Sequence, residues 1–179
     1  YDVTFTNDIG VLGATHELQL NEKSLWKTAV AVSALSSDRF GDRVGEDYQT
    51  TRLEEDNYRE NRISLNTSLT HKLSASQSLR AGLIFNNLHY DLLSRESPIG
   101  GSLQTLSEGE GGGQLYQPYM QWKQDLKASI SFQVGLHAMY FSVGDAFSLE
   151  PRASVQWDLN EQQSLSFAYH STRATPKPV

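Results

Sequence analysis

Histidines and acidic residues are the side chains best able to do chemistry in this chain of 179 residues. The histidines lack the close spacing that metal ligands on one element need. No serine-nucleophile elbow, H-E-x-x-H zinc motif, phosphate-binding glycine loop or calcium-binding loop occurs. We therefore predict no catalytic residue, no metal ligand and no cofactor, and a protein that is not an enzyme. The five histidines are His16, His71, His89, His137 and His170.

Glu150 and Arg152 form the most informative charged pair in the sequence. Residues two apart on a strand share a face. Both side chains are therefore expected on one face of the strand, with Leu149, Pro151 and Ala153 on the other face. The structural interpretation is a ladder of charges, in which Arg152 pairs with carboxylates of its own or neighbouring strands. The functional interpretation is a contact for an anionic ligand. Both interpretations stay open at this point.

Two further charged stretches are predicted to lie in loops. Residues 108–111, E-G-E-G, are too rich in glycine and too poor in ligands for a metal site, and they predict a mobile external loop. The other stretch carries four acids that could attract a cationic ligand, although a solvated charged loop explains them as well. These acids are Asp38, Asp42, Glu46 and Asp47.

The composition is that of a folded protein, with 38% hydrophobic and 20% charged residues. The net charge of -6 argues against nucleic acid as a partner, and the absence of cysteine excludes disulfides and thiol catalysis. No apolar run approaches the roughly 20 residues of a transmembrane helix. Because the chain opens without Met or a signal sequence, we expect an excerpt of a longer protein.

Apolar and polar residues alternate with the period of a strand rather than that of a helix. The clearest segment is 130–140, where I-F-V-L-A-Y alternates with S-Q-G-H-M. Segments 79–85 and 149–159 repeat the pattern. It predicts strands with one apolar and one polar face, at roughly 7–20, 25–38, 53–72, 78–94, 114–124, 128–142, 148–159 and 164–173.

The alternation also predicts which side chains share a face. The apolar face should carry Leu79, Leu83, Phe85, Ile130, Phe132, Val134, Leu136, Val155, Trp157, Leu165 and Phe167. The opposite face should carry Arg80, Asn86, Ser131, Gln133, Arg152 and Gln156.

Short and long connections mostly alternate between these strands. Tight turns are expected at 21–24, 73–77, 125–127 and 160–163, longer connections at 39–52 and 95–113, and a short one around 143–145. This is the pattern of an antiparallel up-and-down meander, with turns at one end and loops at the other. Pro118 falls in mid-strand and predicts a bulge, while Pro151 stands near enough to a strand start to be tolerated.

Short turns, long loops and alternating segments are together typical of outer-membrane barrels. Trp26, Trp122 and Trp157 each stand beside a tight turn, where their rings would form a girdle at the membrane interface. We predict an all-β fold: an antiparallel up-and-down meander of about eight long strands, forming part of a transmembrane β-barrel. A soluble β-sandwich, with one water-facing side on each sheet, is the alternative.

The stretch L-E-P-R-A-S-V at 149–155, followed after a polar turn by S-L-S-F-A-Y-H-S at 164–171, carries a family resemblance. It resembles the barrel of TonB-dependent outer-membrane receptors, in particular the type with a carboxypeptidase-regulatory-like N-terminal domain. In that type an E-P-R strand start, a polar turn and an S-L-S-x-x-Y strand recur. The specific match covers about residues 148–173, and the remainder agrees in its style of hairpin.

The resemblance implies a barrel of roughly 22 strands, an N-terminal plug and an energy-coupling box read by an inner-membrane complex. Residues 1–179 would be a partial barrel domain, without plug, box or signal peptide, located in the outer membrane of a Gram-negative cell. Its partners would be the lipid bilayer, the rest of its own barrel and plug, and the energy-coupling complex. The plug then becomes a second possible contact for Glu150 and Arg152.

The implied function is import of a nutrient, whether an iron chelate, a glycan or a peptide. The ligand-binding residues stay unknown, since the family's ligand contacts cannot be carried over to this segment. Two alternatives remain open beside the soluble binding module: a complete small eight-strand barrel with a structural role, or one with an adhesive role.

Overall fold

The computed structural model describes residues 1–98, 101–127 and 129–175. These residues form nine strands and one 3-10 helix of three residues, Val143–Asp145. No helix in this part of the chain is long and apolar enough to cross a membrane. The strands are β1 (Asp2–Asn21), β2 (Ser24–Val44), β3 (Thr50–Lys72), β4 (Gln77–Glu96), β5 (Gln104–Lys127), β6 (Ile130–Phe141), β7 (Ala146–Asn160), β8 (Gln163–His170) and β9 (Arg173–Thr175).

The strands form one antiparallel sheet in which each pairs with its neighbours in sequence, from β1 to β8. This order confirms the predicted up-and-down meander of long strands. The ninth strand, β9, pairs with β7 beyond the end of β8. Within the described residues no ladder joins β1 to β8, so these two strands stand at the two ends of the strand order.

The predicted long loops are wrong in extent, because strand pairing continues into them. β2 runs to Val44 and β3 begins at Thr50, so residues 45–49 alone connect them. β5 begins at Gln104, which places the predicted mobile loop at 108–111 inside a strand. Residues 99 and 100 of the remaining connection lie outside the described residues.

The register around Pro118 is the same on both sides. Tyr116 pairs with Tyr140 and Tyr119 with His137, so the predicted bulge at Pro118 is wrong. The ladder lacks pairs at 117–118 but resumes in step, because a proline removes a donor without inserting a residue. The register of β5 shifts instead near its end, between positions 125 and 127.

Pro151 of β7 interrupts the pairing of β7 with the strand predicted at 164–173, but the register is the same on both sides of the interruption. Pairing on β7 continues in one register from β8 to β9, which places Ser171 opposite Pro151. The Ser171 N–H donates to the Pro151 carbonyl at 3.3 Å, but proline has no N–H to return the bond. The strand predicted at 164–173 is therefore two strands, β8 and β9.

The ladders that join β6, β7 and β8 confirm the predicted faces. On one face all the pairs of β6 with β7 are apolar, and Phe132 lies opposite Val155, which lies opposite Phe167. On the other face Gln133 lies opposite Ser154. The alternation in the sequence is therefore preserved across three neighbouring strands.

β4 and β5 extend the same two faces. The Phe85 and Tyr116 ring centroids are 4.9 Å apart, and Tyr116 lies opposite Tyr140 on the apolar side of β6. The Arg80 guanidinium lies 5.9 Å from the ring centroid of Tyr119, which belongs to the polar side. Both positions on β4 agree with the prediction.

No hydrophobic side chain among the described residues is buried. The chain exposes 12813 Å², whereas a compact soluble protein of 20.0 kDa exposes roughly 8,700 Å². Phe167 and Trp157 on the apolar face are 64% and 47% exposed. No other described part of the chain therefore covers that face.

The chain divides into two compact units. The first unit comprises Tyr1–Gly13, Ala31–Ile63 and Asn87–Gly113. The second unit comprises Ala14–Val30, Ser64–Asn86 and Gln114–Val179, and it contains all three tryptophans.

The tryptophans lie near the tight turns. Trp26 Nε1 donates to Thr67 Oγ1 at 2.8 Å, so its polar tip is satisfied while the residue stays 43% exposed. Trp157 and Trp122 lie opposite positions 130 and 134 of β6, at the turn end of that strand. A common height for all three rings stays a prediction.

Candidate functional site

A groove on the polar face of the second unit collects side chains from five strands, β4 to β8. Its volume is about 660 Å³. The period of two places every second residue of each strand on this face, which brings distant parts of the sequence together. The polar side chains that line this polar groove from the polar face are Arg80, Tyr119, Gln121, Gln133, His137, Arg152, Ser154 and His170.

Glu150 is the centre of a hydrogen-bonded cluster beside the groove. Its Oε2 lies 2.8 Å from Arg152 Nη2, 3.1 Å from His137 Nδ1 and 3.4 Å from His170 Nε2. The Glu150 side chain is 13% exposed, and the hydroxyl of the buried Ser148 lies 3.5 Å from its Oε1. One carboxylate therefore holds together three strands, because its partners come from β6, β7 and β8.

The structural interpretation of this pair is confirmed, since Arg152 contacts a carboxylate of its own strand. The functional interpretation is not excluded by that contact. Arg152 remains 53% exposed and His170 49% exposed, and both border the groove. Sequence reasoning identified Glu150 and Arg152 but did not connect them with His137 or His170, which lie 13 and 20 residues from Glu150.

Gly82 explains the position of Tyr119 in the groove. A Cβ at Gly82 would lie 2.6 Å from the Tyr119 hydroxyl and 2.6 Å from the Thr67 carbonyl oxygen. The missing side chain lets the Tyr119 ring lie across β4, where Arg80 approaches its face. Sequence reasoning missed this arrangement, although a glycine inside a strand is a known signal of close approach.

The groove lining is suited to an anion or to a molecule rich in hydrogen-bond acceptors. On the polar face it is bordered by two guanidinium groups, two imidazoles, the Tyr119 phenol, the Ser154 hydroxyl and two carboxamides, and no carboxylate is among the lining side chains. The one acid of the cluster, Glu150, already accepts hydrogen bonds from its neighbours. Arginine in such a position offers several N–H donors in a fixed plane, which matches carboxylate or phosphate geometry.

A second charged cluster lies in the first unit, where two acids of β3 cross-link neighbouring strands. Arg39 lies 2.7 Å from Asp56 and 2.5 Å from Glu54, and the Ser94 hydroxyl donates to Asp56 at 2.6 Å. The Ser94 hydroxyl and the Arg39 guanidinium hold the pKa of Asp56 below its usual value. These contacts join β2, β3 and β4.

The four predicted loop acids have different surroundings. Asp42 lies 2.9 Å from Arg52, which lowers the pKa of that carboxyl, and Asp38 accepts a hydrogen bond from Asn57 at 2.6 Å. Asp47 accepts from a backbone N–H within the 45–49 turn. Asp38 and Asp42 therefore stabilise strand pairing, and the solvated-loop interpretation is wrong for both. For Glu46 that interpretation stays a prediction.

The remaining histidines lie apart from the groove cluster. His71 Nδ1 lies 2.8 Å from the Ser24 hydroxyl, and the His16 ring stands edge-on to Trp26 at 6.4 Å. His89 lies in the first unit, 3.8 Å from Asp91. The structure thus groups two of the five histidines around one carboxylate.

No protein-family model and no curated protein matches the sequence. Among solved structures, the chain is similar to the ferric-catecholate import receptor Fiu of E. coli K12 in its open form. The TM-score is 0.75 at 14% sequence identity, and the likeness covers 97% of this chain and 31% of that receptor. The chain therefore spans about a third of the length of that receptor. At this identity the likeness shows the fold, which is a receptor-barrel type of antiparallel sheet.

Proposed function

We propose that this chain is part of the barrel of a TonB-dependent receptor that imports a nutrient across the outer membrane of a Gram-negative cell. The observation that carries the proposal is the apolar face of β6, β7 and β8, which no described part of the chain covers. The hydrocarbon of a bilayer would cover this face without offering hydrogen bonds, which paired strands do not need. The likeness in fold to an import receptor supports the class.

The strand order supports a position within a larger barrel. β1 and β8 stand at the ends of the order, and their outer N–H and C=O groups need partners wherever water is absent. We infer that further strands of the same protein pair with them. A closed eight-strand barrel would need a ladder between β1 and β8, and a soluble β-sandwich would need a second sheet over the apolar face.

The proposal includes the other partners of such a receptor. They are a plug inside the barrel and an inner-membrane complex that supplies energy for import, with no nucleic acid and no catalytic activity. The polar face of the sheet would line the interior of the barrel, where water and a plug are both found.

The chemistry of the polar groove favours an anionic nutrient. Arg80 and Arg152 present guanidinium groups to the groove, and the similar receptor is named for the import of ferric catecholates, which carry negative charge. An iron chelate fits this lining better than a neutral glycan. The ion pair of Arg152 with Glu150 would hold the guanidinium in place for such a contact.

Spin-label accessibility tests the membrane position of the two faces. The chain has no cysteine, so single cysteines at Val155 and Ser154 can each carry one nitroxide in the full chain in lipid vesicles. We expect the label at Val155 to be reached by oxygen and not by a polar nickel chelate, as for a site in hydrocarbon. The label at Ser154 should show the reverse. A label at Val155 that neither reagent reaches would indicate a packed protein core and would contradict the membrane barrel.

Uptake of a ferric catecholate by cells that produce the full-length receptor containing this chain tests the transport class and the cargo separately. We expect uptake that a protonophore abolishes, and a fall of at least about tenfold in Arg152→Gln and Arg80→Gln at equal surface abundance. Lys27→Gln is the matched control, since Lys27 lies outside the groove and pairs with Glu17. Energy-dependent uptake that both arginine variants retain would reject the cargo contact and leave the transport class standing.

A further inference from the structure

Three metal-ligating side chains meet in the first unit, away from the polar groove. They are His89 and Asp91 on β4 and Glu110 on β5. One ligand atom of each lies within 4.8 Å of the other two, and His89 Nε2 is 3.8 Å from Asp91 Oδ1. All three residues are exposed, so an ion in solution could reach them.

The register of β4 and β5 brings these side chains together. Gly111 lies against Tyr90, and Gly112 lies against the backbone of His89. Because the strands are antiparallel, the next step places Glu110 opposite Asp91. Two carboxylates directly opposite each other repel, and a cation between them would turn this repulsion into attraction.

Gly112 gives the imidazole of His89 room beside the two acids. A Cβ at Gly112 would lie 3.6 Å from His89 Nδ1 and 2.6 Å from the Leu88 carbonyl oxygen. A side chain at this position would clash with the backbone of β4 and crowd the ring. The glycine therefore keeps the space next to the imidazole open on the face where Asp91 and Glu110 lie.

We propose that His89, Asp91 and Glu110 bind one first-row divalent transition-metal ion, of which Zn²⁺ is the representative tested. The imidazole distinguishes this donor set from the all-oxygen ligands that Ca²⁺ and Mg²⁺ take. Ligand atoms of one tetrahedral zinc ion lie about 3.4 Å apart when the bonds are about 2.1 Å, so side-chain shifts of roughly 1 Å complete the site. Water fills the remaining positions.

The site departs from the sequence-based expectation of no metal ligand. That expectation rested on the glycine-rich stretch around Glu110, which offers too few ligands by itself. Two of the three ligands come from a strand about twenty residues earlier in the chain. The pairing of β4 with β5 is what brings the third ligand to them.

Titration of the full chain in detergent micelles with ZnCl₂ tests the proposal, with calorimetry as the readout. We expect one ion per chain, and affinity at least about tenfold weaker in His89→Ala and in Glu110→Gln, since loss of a mere supporting contact to a ligand already costs 10–100-fold. Glu108→Gln is the matched control, because it removes an acid of the same strand that is outside the cluster, and its affinity should stay within about twofold of the original.

Co²⁺ provides an independent readout that does not depend on heat signals. Its visible absorption bands should appear with one equivalent in the original chain and in Glu108→Gln, and should be lost in His89→Ala. Absence of saturable binding would overturn the proposal. Equal loss in Glu108→Gln and Glu110→Gln would also overturn it, since it would indicate a diffuse attraction of cations to acidic strands.

Discussion

Arginine–carboxylate contacts join the strands of the first unit, whereas matched apolar pairs line one face of the second. β3 contributes residues to both units, and its composition changes along its length. Residues 52–62 include seven charged side chains, and residues 63–71 include no Asp, Glu, Lys or Arg. The backbone is a paired strand throughout, from Thr50 to Lys72. The change along one strand is therefore a change of surroundings and not of secondary structure.

In the proposed barrel, this difference teaches how a single sheet serves two solvents, water and hydrocarbon. Backbone pairing satisfies the N–H and C=O groups in either solvent, so the side chains alone adapt to water or hydrocarbon. In the first unit Arg39 can bind Glu54 and Asp56 because water offsets the cost of the charges. In the second unit the face that carries Phe132 and Val155 has no such groups.

The largest expected effect comes from placing the same charge in each unit. Val155→Arg should destabilise the full chain in lipid vesicles by about 2–4 kcal/mol, since the guanidinium would enter hydrocarbon, whereas a site near the interface loses about 0–1 kcal/mol. Val44→Arg in the first unit is the matched change, because the two valines are 36% and 41% exposed. Urea unfolding measures both. Equal losses of unfolding free energy would contradict the inference that the two positions face different solvents.

Loss of a carboxylate should also differ between the units. Glu150→Ala leaves His137 and Arg152 without their shared acceptor, and we expect a loss of about 1.5–3 kcal/mol in unfolding free energy. Glu55→Ala in the first unit removes an acid 3.8 Å from Arg95, and the expected loss is below about 1 kcal/mol. The same urea titration separates them, and a larger effect at Glu55 would contradict the comparison.

Glycine substitutions probe how closely the strands of each unit approach. Gly82→Ala should lower the unfolding free energy by about 1–3 kcal/mol, because the new Cβ meets Tyr119 and the Thr67 carbonyl. Gly10→Ala is the control in the first unit, where nothing lies within 4 Å of the added Cβ, and a gain of up to about 1 kcal/mol is expected. Similar losses of unfolding free energy at both positions would show that crowding beside β4 does not cause the destabilisation.

The smallest expected effect is the pH response of the first unit. The pKa of Asp42 and that of Asp56 are lowered in the folded chain, so their contribution to stability is present above the pKa of the unfolded chain. This contribution is lost as pH falls through the pKa values of the folded chain, which lie below the usual value of 3.8. The amide protection factors of β2 and β3, which correct for the slower intrinsic exchange in acid, should therefore fall from pH 6 to pH 3 relative to those of β5. Asp42→Asn should reduce this fall in protection, and an unchanged protection profile would argue against the Arg52 contact.

Most of the fold follows from the alternation of residue types. The strands, tight turns and faces at positions such as Phe132, Gln133 and Val155 follow because a period of two leaves a strand few other arrangements. The ends of β2 and β5 could not be predicted from composition. Charges and glycines typical of loops are also accepted in strands when a neighbouring strand supplies a counterion, as for Arg39, or needs space, as for Gly112.

The candidate sites were less predictable, since they depend on which strands become neighbours. Glu150 and Arg152 were found because they lie two residues apart on one strand. Their contacts with His137 and His170 depend on the registers of β6 with β7 and of β7 with β8, which no local pattern fixes. Gly82 was the overlooked signal, because its place inside a strand marks the close approach of Tyr119.

The shared faces of β6, β7 and β8 restrict which insertions and deletions these strands can accept during evolution. Deleting one residue inside β7, such as Ser154, would send every later side chain of that strand to the opposite face and expose polar groups to the apolar side. Deleting two neighbours, such as Gln133 and Val134 in β6, shortens the strand but preserves both faces. Insertions and deletions in these strands should therefore be tolerated in pairs, whereas an odd number of residues inserted in the 45–49 turn leaves both faces unchanged.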